Sequence, residues 1–409
     1  MNKQLLLVVG AVVLSFALGV GAGFGGDRYL VYRGVPPTEP NDAKATFGVF
    51  WEAWQLVEQK YVDQSVVTPT NLTHGAISGM LDALGDTGHT RFLSPSDRKA
   101  EDDSLAGKLE GIGIEVEVRE GHVTVVAPFD GSPAQKAGIR PGDVIEKING
   151  QDATRMNLDQ VSTLIRGPKG TTVHLTMLRP GAAELLDFTI VRDELTVPDV
   201  TWAMVPGTTI AHIRISGFGQ NVDSELRQAL HDATDQHATK VILDLRNDPG
   251  GLLDQAIKVA SEFLSSGNVL LVQDRSGQRT PDAVQSGGQA RQIPMDVLVN
   301  HGTASAAEIV AGALQDQHRG LVIGEQTFGT GTVLNEFPLS DGSALLIGTS
   351  EWLTPDGHSI RNNGITPDDV VAEPVSATLL VPEAEKTLSP DQLQKSDDKQ
   401  LLEAVGKLS

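Results

Sequence analysis

Val297-Leu298-Val299-Asn300-His301-Gly302-Thr303-Ala304-Ser305-Ala306-Ala307-Glu308-Ile309-Val310-Ala311-Gly312-Ala313-Leu314 reads as a strand, a turn of small residues and a helix. Ser305 therefore falls at the helix N-terminus. There its hydroxyl faces N–H groups with no intrahelical partner and the positive end of the dipole, which suits an attacking oxygen beside a developing oxyanion. A serine at such a place also serves as a plain N-cap, so the residue by itself leaves both readings open. A second turn after a strand, Asp244-Leu245-Arg246-Asn247-Asp248-Pro249-Gly250-Gly251, can aim a glycine N–H at the same point. Around these two turns, strands expected over 210–215, 240–245, 269–273 and 296–300 alternate with helices expected over 223–234, 252–264 and 306–315. That alternation predicts an α/β domain with a largely parallel sheet over 193–373.

Upstream, short β runs over 112–118, 122–127, 143–148 and 172–178, with Gly and Pro turns between them, predict a β-rich module over 105–192. Gly111-Ile112-Gly113-Ile114 leads straight into a strand. A glycine turn before an open strand offers N–H groups in a concave arrangement, which is how a terminal carboxylate is held while a peptide's last residues add a strand. The competing reading is a tight hairpin. The segment from Ser132-Pro133-Ala134-Gln135-Lys136-Ala137-Gly138 through Asp143-Val144-Ile145-Glu146-Lys147-Ile148-Asn149-Gly150 resembles the helix, turn and strand of PDZ domains. With an apolar pocket under Ile112 and Ile114, a tail ending in a small or apolar residue is the expected ligand.

Length and composition set the outer limits. A chain of 409 residues, 40% hydrophobic and 21% charged, is globular and divides into two or three domains. Without cysteine there is no disulfide, thiolate metal site, cysteine nucleophile or lipidated N-terminal cysteine, and the redox compartment stays open. A net charge of −21 with 4% aromatic residues lacks both the cations and the stacking rings that nucleic acid requires, so nucleic acid is not an expected partner. Residues 5–26 follow Lys3 without a charge or a proline, long enough to span a bilayer. An uncleaved anchor over 1–26 is the preferred reading; a signal peptide cut among the small residues 19–26 is the alternative, and a buried core helix the third. Either exported form leaves Lys3 in the cytoplasm and the bulk outside it, at the cell membrane as a single-pass protein or secreted after cleavage. Residues 27–45, with Pro36, Pro37 and Pro40, read as a tether. Phe47, Phe50, Trp51, Trp54 and Val57, then Leu72, Ile77, Met80, Leu81 and Leu84, recur at helical spacing and predict a helical cap over 46–104. Residues 374–409 read as a tail of mixed charge with a short amphipathic stretch. The fold class expected is multi-domain, α+β and α/β, behind a membrane anchor.

Taken together, these segments resemble the C-terminal processing peptidases, or tail-specific proteases, serine peptidases that carry a PDZ domain. The resemblance spans about residues 47–371 and includes Gly85-Asp86, Phe92-Leu93-Ser94-Pro95, Thr327-Phe328-Gly329, Asp341-Gly342-Ser343-Ala344 and Gly364-Ile365-Thr366-Pro367-Asp368. It implies Ser305 as nucleophile and the N–H groups of Gly251 and Ala306 as oxyanion donors. It also implies substrates with exposed, unstructured C-termini, outside the cytoplasm, with no metal or other cofactor. One departure bears on chemistry. The family's general base is a lysine in Phe-Gly-Lys-Gly, and this chain reads Phe328-Gly329-Thr330-Gly331; the glutamine four positions on that supports the lysine is Leu334. Thr330 cannot take a proton from a serine near neutral pH. His301 and His212 are the substitute bases the sequence offers. Two functions follow: a serine endopeptidase acting through Ser305, or a non-catalytic adaptor that binds protein C-termini.

Overall fold

The computed structural model describes residues 46–409 except 87–89, 120–121, 129–130, 141, 157, 183, 375–376 and 378. The expected anchor and tether lie outside the described residues, among which no helix is long and apolar enough to cross a membrane. The chain divides into two units, Met1–Ala76 and Ile77–Ser409. In the first, the helix Phe47–Lys60 packs its aromatic residues edge to face or tilted, Phe50 lying 5.1 Å from Trp51 and 5.9 Å from Trp54 between ring centroids. The helix Pro69–Asp82 begins in the first unit and ends in the second.

Within the second unit, the β module is a sheet in the order Ile114–Arg119, His122–Pro128, Val144–Ile148, Thr172–Leu178, Leu186–Val191, with Gln151–Asp152 beside the third strand. Thr172–Leu178 shows why the pleat settles here: Val173, Leu175 and Met177 face the core, and the residues between them face outward. The short helix Pro133–Ala137 is fixed at both ends. The Ser132 hydroxyl accepts the Gln135 N–H at 3.1 Å, Pro133 presets the first turn, and Gly138, at φ 88°, ends it. Asp143, fully buried, is held by a two-pronged Arg179 fork at 2.7 Å per bond.

The α/β domain is built on six strands in the order Val200–Met204, Ile210–Ile215, Lys240–Asp244, Met295–Val299, Val322–Gly324, Asp369–Val370, parallel except for the first pair. The helices Val222–Asp235, Leu253–Phe263 and Ala306–Asp316 cover one face through Ile213, Leu243 and Val297. The other face carries Ile210, Ile242, Leu298 and Ile323, and these are covered by Leu393, Leu401, Ala404 and Val405. Within residues 374–409, expected as a tail, the helices Pro382–Glu385, Pro390–Gln394 and Lys399–Leu408 thus form the second layer of the domain. A parallel sheet is apolar on both faces and needs two covers, and the helix Lys399–Leu408 supplies one apolar stripe for that purpose.

A separate antiparallel sheet joins distant pieces: Arg91–Leu93, Ala344–Leu353, Asn268–Gln273 and Arg279–Ala283 in order, with Thr332–Pro338 also on Ala344–Leu353. Residues 269–273, expected in the parallel sheet, pair here instead, and 91–93, expected in the helical cap, form its edge. Local pattern makes each run a strand; the partner is chosen by what the rest of the chain brings alongside.

Candidate active site

Three loops meet at the carboxyl ends of the neighbouring strands Lys240–Asp244, Met295–Val299 and Val322–Gly324, the end at which open α/β sheets place their ligands. The first two are laced together by short polar side chains. Asn300 Oδ1 accepts the Asn247 N–H at 2.9 Å and its Nδ2 donates to Asn247 Oδ1 at 2.9 Å. The Thr303 hydroxyl donates to the Leu245 carbonyl at 2.7 Å, and the Ala304 N–H donates to the Asp248 carbonyl at 2.9 Å. This lacing holds Ser305 at φ 52°, ψ −117°, a conformation that costs a non-glycine residue about 1–3 kcal/mol and survives only where its surroundings impose it.

Gly250 and Gly251 pack against the serine turn and require glycine. A Cβ at Gly250 would lie 2.7 Å from both the Ala306 nitrogen and Ser305 Cβ, and one at Gly251 would lie 2.5 Å from the Phe218 carbonyl oxygen. The Phe218 N–H donates to the Gly250 carbonyl and the Leu252 N–H to the Phe218 carbonyl, so the Gly251 N–H points away from that bridge. Ala306 opens its helix, where the N–H has no intrahelical acceptor. Neither N–H has a hydrogen-bond partner among the described residues. Asp248 shapes the turn by accepting the Gly250 N–H at 2.8 Å. Burial pushes its carboxyl well above the usual range, and its Oδ2 has no partner among the described residues.

The third loop is held by a residue that sequence reasoning passed over. Glu308 is fully buried and accepts four hydrogen bonds: from the Thr327 hydroxyl (2.5 Å), Gly329 N–H (2.7 Å), Thr330 N–H (2.9 Å) and Ser305 N–H (3.0 Å). Its signal was legible, since Ser305-x-x-Glu308 has the spacing of a capping box. Thr330 is buried, and its hydroxyl oxygen accepts the same Ser305 N–H at 3.1 Å. Position 330 is therefore brought to the serine, where its side chain touches the backbone. A cavity of about 160 Å³ opens beside Ser305, walled by Leu253, Ile309, Val333, Leu334 and Trp352. Its lining suits an apolar side chain.

The two histidines part company. His212 points to the sheet face opposite the serine helix, beside Ile210, where Nδ1 meets Glu385 Oε1 at 2.7 Å and Nε2 meets Asp244 Oδ2 at 3.1 Å. Burial opposes its charge, but Glu385 and Asp244 outweigh burial and push its pKa up to about 9. Asp244, despite burial, is held far below the usual carboxylate range by Arg246 and His212. Arg246 continues the chain to Asp398 at 2.8 Å. His212 is committed to this network and does not reach Ser305. His301 is exposed on the turn before the serine.

In the β module, Gly111, Ile112, Gly113 and Ile114 border a cavity of about 350 Å³, with Val116 and Ile165 also in its lining. Gly113 stands at φ 74°, and a Cβ there would lie 2.6 Å from Ser132 Cβ. Ile112 is wholly buried beneath this loop, its carbonyl accepting the Ala134 N–H at 2.9 Å.

The fold and the site define a serine-peptidase scaffold with a peptide-binding module in front of it, and comparison with known proteins agrees. Residues 209–371 match peptidase family S41, and residues 123–179 match the PDZ domain. The carboxyl-terminal-processing protease of Synechocystis sp. is 37% identical over 328 residues, covering 79% of this chain and 76% of that protein. The carboxy-terminal processing protease CtpA of Bacillus subtilis is 37% identical over 339 residues, covering 82% and 71%. A solved structure from Bacteroides fragilis named as an S41 protease shares the fold, with a TM-score of 0.57 at 18% identity over 88% of this chain and 98% of that one. The chain belongs to the carboxyl-terminal processing proteases of peptidase family S41.

Proposed function

We propose that this protein captures exposed protein C-termini in the groove bordered by Gly111, Ile112, Gly113 and Ile114, and presents the chain to an assembled but baseless site at Ser305. The terminal carboxylate would meet the glycine turn while the last residues pair with Ile114–Arg119. At the second site Ser305 would be the nucleophile, Gly251 and Ala306 the oxyanion donors, and the 160 Å³ cavity the seat of an apolar side chain next to the scissile bond. The observation that carries the reading is at Thr330. Its hydroxyl and Glu308 both face the Ser305 backbone N–H, and among the described residues no basic side chain lines the serine cavity. A serine without a proton acceptor loses about 10²–10⁴-fold in rate, so tail binding outweighs turnover and the protein acts as a C-terminus-binding regulator.

A slow serine peptidase remains the second reading, favoured by the intact turn, N–H pair and cavity. Digestion of an unfolded protein substrate separates the two. Cleavage by the wild type should equal that of Ser305→Ala; Ser305-dependent cleavage as fast as that of a variant with the lysine restored would overturn the regulator reading. The apolar run 5–26 supports an uncleaved anchor with the bulk outside the cytoplasm. A mature protein that begins near Asp27 and does not pellet with membranes would replace the anchor with a signal peptide.

A further inference from the structure

The cavity at the glycine turn is not closed by the β module alone. Pro198, Asp199 and Ser216, which belong to the entry of the α/β domain, also line it. Asp199 is held there by two backbone contacts. Its Oδ2 accepts the Gly219 N–H at 3.1 Å, and its carbonyl accepts the Ser216 N–H at 2.9 Å. No hydrogen bond to its Oδ1 appears among the described residues. A half-buried carboxylate thus shares a cavity of about 350 Å³ with the turn that is to receive a peptide's own carboxylate.

We propose that Asp199 is a specificity-determining residue of this groove: ionised, it disfavours a free terminal carboxylate, and protonated, it admits one. The proposal rests on the reading that the groove takes C-termini. The charged groups around Asp199 are few and come from three directions. Glu225, on the helix Val222–Asp235, adds negative charge; Asp248, on the turn after Lys240–Asp244, is a buried carboxyl whose own ionisation burial opposes; Lys108 and Arg166, on the module side, line the same cavity. Burial, reinforced by Glu225, raises the Asp199 carboxyl to about 6, so its charge changes within the physiological range. A bound terminal carboxylate is one more negative neighbour and raises it further. Binding then takes up a proton, and affinity rises as pH falls towards the range where the peptide's own carboxylate protonates.

Isothermal titration of the full chain with a peptide ending in alanine, as free acid and as amide, tests this between pH 5 and pH 8. The free acid should bind about tenfold more tightly at pH 5 than at pH 8, one decade for each unit by which the bound ligand raises the Asp199 pKa. The amide should show a flat profile. Asp199→Asn keeps an acceptor for the Gly219 N–H and should flatten the free-acid profile while tightening binding at pH 8. A free-acid profile that keeps its slope in Asp199→Asn overturns the proposal alone. Absence of binding by both proteins at every pH overturns the C-terminus reading and the proposal with it.

Discussion

The carboxyl end of the parallel sheet and the face beneath the C-terminal residues both bury polar groups, but they spend them differently. At the carboxyl end, one carboxylate, Glu308, is supplied by three backbone N–H groups and a hydroxyl, and no cation lies among its partners. On the covered face, charge is matched by charge: Glu385, His212, Asp244, Arg246 and Asp398 alternate in sign along one buried chain. The first arrangement shapes loops around a serine. The second fastens the C-terminal helices to the sheet, with Asp398 also accepting the Leu401 and Leu380 N–H groups at 2.9 and 2.8 Å. The difference teaches that the buried strand histidine, His212, is a structural cation, while the carboxylate beside the serine positions backbone.

The comparison breaks first at Arg246. Arg246→Ala strips the positive link between Asp244 and Asp398 and should lower unfolding stability in urea by about 3–5 kcal/mol, the cost of leaving buried charge unpaired. A loss under about 1 kcal/mol would mean that the network is already hydrated and contributes little.

A slightly smaller effect should appear on titration. His212 has its pKa raised from 6.5 to about 9 in the folded chain, so its stabilisation is complete below pH 6.5 and drains away as pH rises through about 9. The loss should be on the order of 3 kcal/mol, and His212→Gln should lack that part of the pH profile. Identical alkaline profiles for the two proteins would show that the imidazole is neutral where it lies.

At the other region, Thr330→Lys with Leu334→Gln returns an amine and a hydrogen-bonding partner to a buried place beside the serine, where desolvation can lower the amine's pKa. Cleavage of an unfolded substrate should then exceed the wild-type rate by at least about 10²-fold and vanish on adding Ser305→Ala. Equal rates before and after the change would assign the base to another residue, and His301→Ala would test the exposed candidate.

The smallest effect is expected at Glu308. Glu308→Gln replaces an all-acceptor group with one that also carries an NH₂, setting donor against donor, and should cost about 1.5 kcal/mol. Its signature is local: the Gly329 and Thr330 amides should exchange faster in hydrogen-exchange measurements while the sheet core is unchanged. Unaltered exchange at both amides would show that the loop holds itself without the carboxylate.

Much of the site was readable because its signals are local. A strand, small residues and a helix announce Ser305; Gly250 and Gly251 announce a backbone approach that no side chain permits; the segment from Ser132 to Gly150 announces its own helix, turn and strand. The two histidines were not readable. Whether His212 faces the serine or the far side depends on a single step in the strand's alternation, and its partners Asp244 and Glu385 lie 32 and 173 residues away. Residues 374–409 misled for a related reason: three prolines and mixed charge mask an apolar stripe of which Leu401, Ala404 and Val405 are the exposed clue only once a bare sheet face is known to need it.

The sequence by itself determined the order of modules, the strand and helix periods, the position of the serine turn and the threonine at 330, because each is written in neighbouring residues. The tertiary structure decided which strands share a sheet, which face each histidine takes, that Glu308 ties the loop of Thr327 and Thr330 to the serine turn, and that Asp199 lines the cavity at the glycine turn. These are contacts between residues far apart in the chain, where pairing is settled by competition for buried area and hydrogen-bond partners across the whole fold, and no local pattern carries that outcome.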